Sequence, residues 1–463
     1  MRRGPRCALL LAAALATTRA ANPLVADVGM ADPHLHFWPE TGLTYAYATH
    51  DFSNTNTGFR MDNWWVWSSP DLISWTLADV VYPNATPAPP GDYHNCWATD
   101  GAHKKNATTG AWEYFFYMSI GTCQVAVLKS TTTPAGPWVN VLGAPLLNAS
   151  FGASLKPAAC FRDPGVFEDD DGAHYLIAGV FDYYIMRLVT VLDPTGPYGA
   201  KTDDKPFIHK ANGLYYLSWG CFYGTSASVY GPYEYKGSAI DPAFLAPAFR
   251  LNNSVPGAAW YSSEDLADRH GSFWVQNGQT FYASNDRSHS TDVAHRSVYR
   301  DTVVGYVHYY ANASIAPVAI DGTGVGAYDG ARVEAENFMA LAGGARKAHA
   351  PARGGGFVVA VDGAGATLFY PRVRARRGGA RAALTLVAAN AGAASVRVVA
   401  RRGSAAGELI AACDVAPSRG AFAETACAAA TSAADGGARG VDVHLSFEGA
   451  APLRFELDAF ALA

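Results

Sequence analysis

The sequence predicts an all-β protein, with a five-bladed β-propeller over residues 27–325 and a jelly-roll-like β-sandwich over residues 331–463. Two observations carry the prediction of the propeller. Helical periodicity is nearly absent from the first region, and a glycine-punctuated unit of short aromatic strands recurs there five times. A third observation separates the domains: no tryptophan follows Trp274, and the chain turns rich in alanine, glycine and arginine near residue 330.

Before the first domain, residues 1–20 have the features of a secretory signal peptide. The stretch "MRRGPRCALLLAAALATTRA" combines arginines, an apolar run too short to span a bilayer, and small residues at its end. We therefore expect a secreted, extracellular protein in which disulfides can form. Five Asn-x-Ser/Thr sequons predict a glycoprotein. They begin at Asn84, Asn106, Asn148, Asn252 and Asn312.

Six cysteines remain after removal of the predicted signal peptide, which contains Cys7, and one pairing among them can be predicted. Cys413 and Cys427 are close enough in sequence to close one short loop. The other four can pair in three ways, and their spacing matches no zinc pattern. These four are Cys96, Cys123, Cys160 and Cys221.

Charge and hydropathy exclude two classes of partner. The formal charge is −5, and no basic stripe suited to a nucleic-acid backbone is present. No segment after the N-terminus is apolar and long enough for membrane insertion. We expect a monomer that binds no nucleic acid and does not insert into a membrane.

Each of the five repeated units begins with a polar residue, reaches a glycine about ten residues later, and continues into a short aromatic strand. The leading residues are Asp32, Asp100, Asp163, Asp204 and His270, and the glycines are Gly42, Gly110, Gly172, Gly213 and Gly278. Glycine between two such strands indicates a hairpin, and five hairpin-based sheets are typical of propeller blades. Because the first strand of each blade lines the channel, we expect the leading residues to converge at one mouth. Taken singly, an aspartate before proline or glycine is also common in turns.

Converging carboxylates in a channel rimmed by aromatic side chains suit glycoside hydrolysis. One carboxyl group protonates the leaving oxygen, and another activates water or attacks the sugar. Aromatic faces stack on sugar rings, and Trp97 in "NCWATDGAHK" is placed to do so. The alternative for Trp97 is core packing between blades.

An ordered set of motifs resembles glycoside hydrolase family 43. The matching segments are "ADPHLHFW", "CWATD", "RDPGVFEDDDGAHYLIAG", "DDKPFIHKANGLYYLSWG", "RHGSFW" and "YRDTVVGYVHY". The resemblance implies a five-bladed propeller enzyme that inverts the anomeric configuration and acts on arabinosyl, xylosyl and sometimes galactosyl linkages. It also implies site roles: Asp32 as general base, Asp163 as the carboxylate that tunes the acid, and His270 and Arg300 as sugar contacts in the −1 subsite. The alternatives are a satisfied strand histidine for His270 and a surface ion pair for Arg300.

The general acid departs from the family's pattern. The family has a glutamate two residues before proline, and this chain has Asp204 two before Pro206. Aspartate is one methylene shorter, and such misplacement can cost about 100-fold in rate. We expect Asp204 to be the acid, with Asp203 and Glu264 as alternatives.

The second domain resembles the family 6 carbohydrate-binding modules in its opening "ARVEAENFMAL" and closing "LRFELDAFALA". That resemblance implies a structural calcium held by Glu334, Glu336 and Asp458, with the two glutamates on one face of a strand. The alternative is a solvated strand face. Thr367 stands where relatives carry a sugar-binding tryptophan, so we expect a stabilising module with little glycan binding.

Together these observations predict a secreted inverting exo-glycosidase that hydrolyses arabinofuranosyl or xylosyl linkages, and sometimes galactosyl ones, in plant- or algal-type polysaccharides. We expect the chemistry to require no cofactor, and we expect the partner to be a polysaccharide or oligosaccharide substrate. The rival hypothesis is a carbohydrate-binding propeller with weak or no catalysis, because aspartate replaces the acid glutamate at Asp204. A retaining fructan-type enzyme is disfavoured, because the chain has neither its Asp-Pro-Asn-Gly nor its Glu-Cys motif.

Overall fold

A computed structural model describes residues 22–53, 58–91, 93–151, 160–180, 182–188, 205–246, 269–287, 299–328, 330–351, 356–374, 382–430 and 440–462. These residues form mainly strands, which confirms the prediction of an all-β protein. Short 3-10 helices occur at Pro83–Ala85, Pro242–Phe244 and Ala335–Asn337. The predicted signal peptide lies outside the described residues. No helix in the described ranges is long and apolar enough to cross a bilayer.

The first region contains five antiparallel sheets among the described residues, each formed by strands consecutive in sequence. The first sheet comprises β1 (Met30–Trp38), β2 (Leu43–Asp51), β3 (Met61–Ser69) and β4 (Thr76–Val81). The second comprises β5 (Thr99–Lys105), β6 (Trp112–Ile120) and β7 (Gln124–Ser130). The third comprises β8 (Gly165–Glu168), β9 (His174–Val180) and β10 (Asp182–Leu188). The fourth comprises β11 (Pro206–Ala211), β12 (Leu214–Trp219), β13 (Phe222–Ser226) and β14 (Glu234–Ser238). The fifth comprises β15 (Gly271–Gln276), β16 (Gln279–Asp286) and β17 (Asp301–Tyr306).

The five glycines of the repeat lie in the turns between the first and second strands of these sheets, as predicted. All five have positive φ, a conformation that glycine adopts without steric cost. Their φ values are 69° for Gly42, 71° for Gly110, 78° for Gly172, 74° for Gly213 and 82° for Gly278. In the fourth and fifth sheets an asparagine with φ near 50° precedes the glycine, which is the pattern of a type I′ hairpin.

The first strands of the five sheets form a closed ring. Each contacts the first strand of the next sheet, and β15 returns to contact β1. The N-terminal segment fastens this closure, since the Leu24 amide donates to the Thr302 carbonyl at 2.8 Å. The Asn22 side chain also bonds both main-chain polar groups of Val304, each at 2.8 Å. The N-terminal ends of the first strands, which we call their heads, therefore meet around one axis.

The second region consists of two further sheets. Its strands are β18 (Val333–Glu334), β19 (Ala340–Ala342), β20 (Ala345–Ala350), β21 (Gly356–Val361), β22 (Thr367–Val373), β23 (Ala382–Asn390), β24 (Val396–Arg402), β25 (Leu409–Val415), β26 (Ala423–Ala428), β27 (Val441–Glu448) and β28 (Phe455–Leu462). One sheet has the order β20-β21-β28-β23-β26, with β18 also paired to β28. The other has the order β19-β22-β27-β24-β25. The predicted single strand across both glutamates of "VEAEN" is wrong, because β18 ends at Glu334 and Glu336 lies in the 3-10 helix that follows.

The two regions share one apolar core. Trp274 and Phe281 of the fifth sheet belong to the same buried cluster as Phe338 and Leu368 of the second region. Gln279 adds polar contacts, because its side-chain amide donates to the carbonyls of residues 336 and 338 at 2.8 and 2.9 Å. The interface between the two regions is therefore part of a single buried core.

Two disulfides occur in the described chain. Cys413 bonds Cys427, as predicted, and Cys123 bonds Cys160. The second bridge ties the turn between β6 and β7 to the segment that leads to Asp163. Cys96 and Cys221 are buried thiols.

Candidate active site

Three residues at the heads of the first strands have the same unusual backbone. Asp32, Asp163 and Lys205 each immediately precede a proline, and their φ angles are 48°, 54° and 51°. A residue before proline normally takes an extended conformation, and positive φ costs an ordinary residue roughly 1–2 kcal/mol. Lys205 therefore occupies in the fourth sheet the position that aspartate occupies in the first and third. Asp204, the predicted acid, lies outside the described residues, as do Asp203 and Glu264.

Asp32 lies at a bulge in β1 and is 4% exposed. Its Oδ1 accepts hydrogen bonds from Arg300 Nη1, His270 Nδ1 and Asn285 Nδ2, each at 3.0 Å. The side chain of Asn285 also accepts the Asp32 amide at 2.7 Å. The ammonium of Lys205 donates to the Asp32 carbonyl oxygen at 2.5 Å. Both the carboxylate and the main chain at this position are held in place.

The same neighbours keep Asp32 ionised. Burial alone would raise its pKa, but the charge of Arg300, the His270 bond and the charge of Lys205 outweigh it. The pKa of Asp32 consequently lies well below its usual range. Asp32 is therefore ionised at neutral pH, as its predicted role of general base requires.

Arg300 precedes β17 and is 1% exposed. Its Nε and Nη2 bond both carboxylate oxygens of Asp51 at 2.9 Å, while Nη1 reaches Asp32. Burial raises the pKa of Asp51 to about 6 in spite of this pair. The predicted sugar contact of Arg300 stays a prediction, because the geometry directly assigns its guanidinium to two aspartates.

Asp163 leads into β8 and is 5% exposed. Its amide donates to Ser119 Oγ at 2.7 Å, and Arg162 Nε lies 3.9 Å from its carboxylate. The guanidinium carbon of Arg162 lies 5.1 Å from the ring centroid of Trp97. Trp97 is partly buried, and its indole donates to the Phe59 carbonyl at 2.9 Å. Trp97 thus lies near Asp163 through Arg162, although its stacking on a sugar stays a prediction.

Asp100, the leading residue of the second sheet, is fully buried. Its carboxylate accepts from His36 Nε2 and from the Val166 amide, each at 2.6 Å, and lies 2.9 Å from His34 Nδ1. Although burial alone would raise it, the pKa of Asp100 is lowered by these two histidines. Asp100 therefore joins the first, second and third sheets at the head of the ring.

The structure brings together four of the five predicted leading residues, since Lys205 interacts electrostatically with Asp32, Asp100 and Asp163 and His270 bonds Asp32. Sequence reasoning missed Asp51, Asn285 and Lys205. The signal for Lys205 was present, because "KPF" matches "DPH" and "DPG" when the units are aligned on proline. No comparable motif marks Asp51 or Asn285.

A cavity of about 250 Å³ lies at the opposite ends of the first strands. Residues from the ends of these strands line it, including Phe167, His209, Lys210 and Val275. None of the aspartates at the strand heads lines it. We place the candidate active site at the heads, where the carboxylates, cations and strained backbone coincide.

The predicted calcium ligands do not form a metal site as they stand. Arg332 bonds Glu334 at 2.7 Å and Asp458 at 2.7 Å, so a cation already lies between these two carboxylates. Glu336 is buried nearby, and burial raises its pKa to about 8. Over the described part of the chain, no group of three metal-binding side chains is close enough to hold an ion. The calcium stays a prediction of the family 6 resemblance.

Comparison with known proteins points to one class of enzyme. No family model matches the chain. A β-D-galactofuranosidase of Aspergillus niger is 27% identical over 338 residues, which cover 68% of this chain and 90% of that protein. An arabinoxylan arabinofuranohydrolase of Paenibacillus polymyxa is 30% identical over 234 residues, which cover 42% of this chain but only 36% of that protein.

A solved structure extends the likeness to the fold. It is the family 43 arabinoxylan arabinofuranohydrolase of Bacillus subtilis in complex with cellotetraose. The TM-score is 0.53 at 23% identity, over 96% of this chain and 98% of that one. The curated relatives confirm the prediction that the protein is a glycoside hydrolase, and the solved structure shows that the chain shares the fold of a family 43 enzyme.

Proposed function

We propose that the protein is an inverting exo-glycosidase that removes terminal furanosyl residues, arabinofuranosyl or galactofuranosyl, from a polysaccharide. The observation that carries the proposal is the environment of Asp32, a buried carboxylate held ionised by Arg300 and His270 at the head of the ring. The curated relatives at 27% and 30% identity are a galactofuranosidase and an arabinofuranohydrolase, which favours five-membered sugar rings. Xylosyl linkages are the second candidate.

In the proposed reaction Asp32 takes a proton from water as that water attacks the anomeric carbon. Asp163, near Lys205, adjusts the charge around the acid, and Asp204 protonates the leaving oxygen. In inverting enzymes the two carboxyl groups are roughly 6.5–9.5 Å apart, because the water must fit between base and sugar. The bond to the leaving group breaks as the bond to water forms, so the released sugar carries the opposite anomeric configuration.

The proposal also includes the architecture of the two regions. We take the five sheets to be the blades of a propeller over residues 27–325, and the two later sheets to face each other as a β-sandwich that resembles the family 6 modules. The ring of first strands and the single core shared by β21, β22 and β28 support this description. The sandwich then serves mainly to stabilise the propeller.

A substrate panel tests the proposed activity. We expect release of free sugar from aryl α-L-arabinofuranoside or β-D-galactofuranoside, with lower rates on xyloside and none on hexopyranosides. NMR of the first-formed anomer should show inversion, whereas retention would contradict the role of Asp32. Asp32→Asn should reduce turnover by about 10²–10⁴-fold, the usual contribution of a general base. Absence of turnover on every furanoside and xyloside would favour the carbohydrate-binding alternative.

The identity of the acid requires a leaving-group test. Asp204→Asn should slow substrates with poor leaving groups far more than activated aryl glycosides, because the latter need little protonation. Asp203→Asn serves as the matched control and should change both classes little. If Glu264→Gln shows the leaving-group dependence instead, Glu264 is the acid.

Secretion and glycosylation complete the proposal. Residues 1–20 and the five sequons support a cleaved leader and N-linked glycans. N-terminal sequencing of the protein recovered from the medium should begin close to Ala21. Treatment with an N-glycosidase should increase its mobility on a gel.

A further inference from the structure

Lys205 lies at the centre of the charged cluster and is 1% exposed. Its ammonium donates to the Asp32 carbonyl at 2.5 Å and interacts electrostatically with the carboxylates of Asp32, Asp163 and Asp100. These aspartates come from three different sheets. Lys205 is therefore a cation on which three sheets converge.

The position of Lys205 is costly for a lysine. Its φ of 51° lies in the left-handed region that favours glycine, and the following proline further restricts the backbone. Burying an ammonium also carries a desolvation penalty, which lowers the pKa of Lys205. Such costs persist where the surroundings over-determine the conformation, and here the surroundings are three carboxylates and a carbonyl oxygen.

We propose that Lys205 is a positioning residue for the general base, fixing the main chain at Asp32 and supplying a positive charge that Asp32 and Asp163 share. This inference rests on the proposed function of Asp32. With 1% of its surface exposed, Lys205 acts through the aspartates rather than by touching the sugar. Its register with Asp32 and Asp163, each one residue before a proline, gives the fourth sheet a cation where two other sheets present an anion.

The other charged groups around Lys205 do not replace it. Arg300 is bonded to Asp51 as well as to Asp32, so its charge is divided. His34 stays neutral at working pH, because burial lowers its pKa to about 4. Within the described ranges, other charged or titratable groups at the cluster include Asp51 on Arg300, His36 on Asp100, His270 on Asp32 and the partly exposed Arg162 beside Asp163.

Two substitutions of Lys205 separate its charge from its volume. Lys205→Met should lower kcat by about 10-fold or more through misplacement of Asp32, with KM changed less. It should also move the acidic limb of the kcat/KM profile upward by about 1 pH unit, because losing a nearby cation raises the pKa of a carboxylate. Lys205→Arg should leave that limb in place. Lys210→Met is the matched control, since it removes an ion-paired lysine from β11, the strand that Lys205 precedes, and this lysine lines the cavity at the end opposite the heads.

Thermal unfolding gives a readout that is independent of activity. The difference in Tm between the wild type and Lys205→Met should be larger at pH 7 than at pH 3, because protonation at the lower pH relieves carboxylates that have lost their counter-charge. An unmoved acidic limb, or a Tm difference that is the same at both pH values, would overturn the proposal. If the wild type turns over no substrate, the proposed function fails, and the unfolding measurement alone decides the role of Lys205.

Discussion

Arg300 and Asp32 are joined by a 3.0 Å hydrogen bond between Nη1 and Oδ1 while the same guanidinium clamps Asp51. The planar fork of arginine makes both contacts possible, and a lysine would make only one of them well. The orientation of the Asp32 carboxylate, the proposed base, therefore depends on an almost completely buried residue that immediately precedes β17 of the fifth sheet.

We expect Arg300→Lys to reduce kcat/KM by about 10- to 100-fold through misplacement of Asp32. The acidic limb of the kcat/KM profile of this variant should move to higher pH, since the compact ammonium of lysine stabilises the Asp32 carboxylate less well. Steady-state kinetics from pH 4 to pH 8 would measure both effects. A variant with wild-type kinetics would show that Arg300 does not position the base.

Asp100 should contribute to stability rather than to chemistry. Asp100→Asn replaces the carboxylate that accepts hydrogen bonds from His36 and from the Val166 amide. Because this group is buried, we expect a loss on the order of 3 kcal/mol in the free energy of unfolding. Because the folded pKa is lowered, the stabilisation is present above the unfolded value of about 3.9 and is lost as pH falls toward the folded value. Urea unfolding at pH 3 and pH 6 would test this. The two proteins should differ less at pH 3.

The raised pKa of Glu336 predicts a pH dependence of stability opposite to the one predicted for Asp100. Burial raises its pKa to about 8 from a usual 4.5, so the folded protein holds a proton that the unfolded chain has released. Stability should decline by on the order of 2 kcal/mol between pH 5 and pH 7, and Glu336→Gln should flatten that slope. Lys347, whose pKa burial lowers to about 7, stays charged in both states below that pH and adds little to the slope. Glu334→Gln removes a charge that adds to the effect of burial on the pKa of Glu336, so it should flatten the slope much less than Glu336→Gln.

The shared core predicts that the second region cannot be removed without damage. A chain ending at residue 328 would expose the apolar surface around Trp274 and Phe281 that Phe338 and Leu368 cover. We expect such a chain to aggregate or to unfold at a lower temperature than the full protein. Arg372→Ala, which removes only the partly exposed ion pair with Asp71, should cost at most about 1 kcal/mol. Equal Tm values for the truncated and full chains would contradict the shared core.

Local signals in the sequence predicted the strand order and the turns well. Aromatic strands separated by glycine require only short-range information, and the glycines at 42, 110, 172, 213 and 278 all lie in the expected turns. The register of the fourth unit was harder. Aligning it on a carboxylate selected Asp204, whereas aligning it on the proline selects Lys205, and backbone angles are not visible in a sequence.

Contacts between residues that are distant in sequence could not be predicted either. Asp51 and Arg300 are separated by 249 residues, and neither lies in a pattern that marks the other. Alternation extended beyond Glu334 predicts a strand position for Glu336, but β18 pairs with β28 for only two residues. Tertiary pairing decides where so short a strand ends.

The ring closure also governs when the site can exist during synthesis. Asp32 leaves the ribosome early, but its partners Asn285 and Arg300 follow 253 and 268 residues later. The nascent chain thus carries Asp32, the proposed base, without these partners until the fifth sheet docks on β1, which makes this contact a late, non-local step. Local opening at the seam between Asn22 and Val304 would separate the same elements, so loss of activity and opening of the ring should be a single cooperative event.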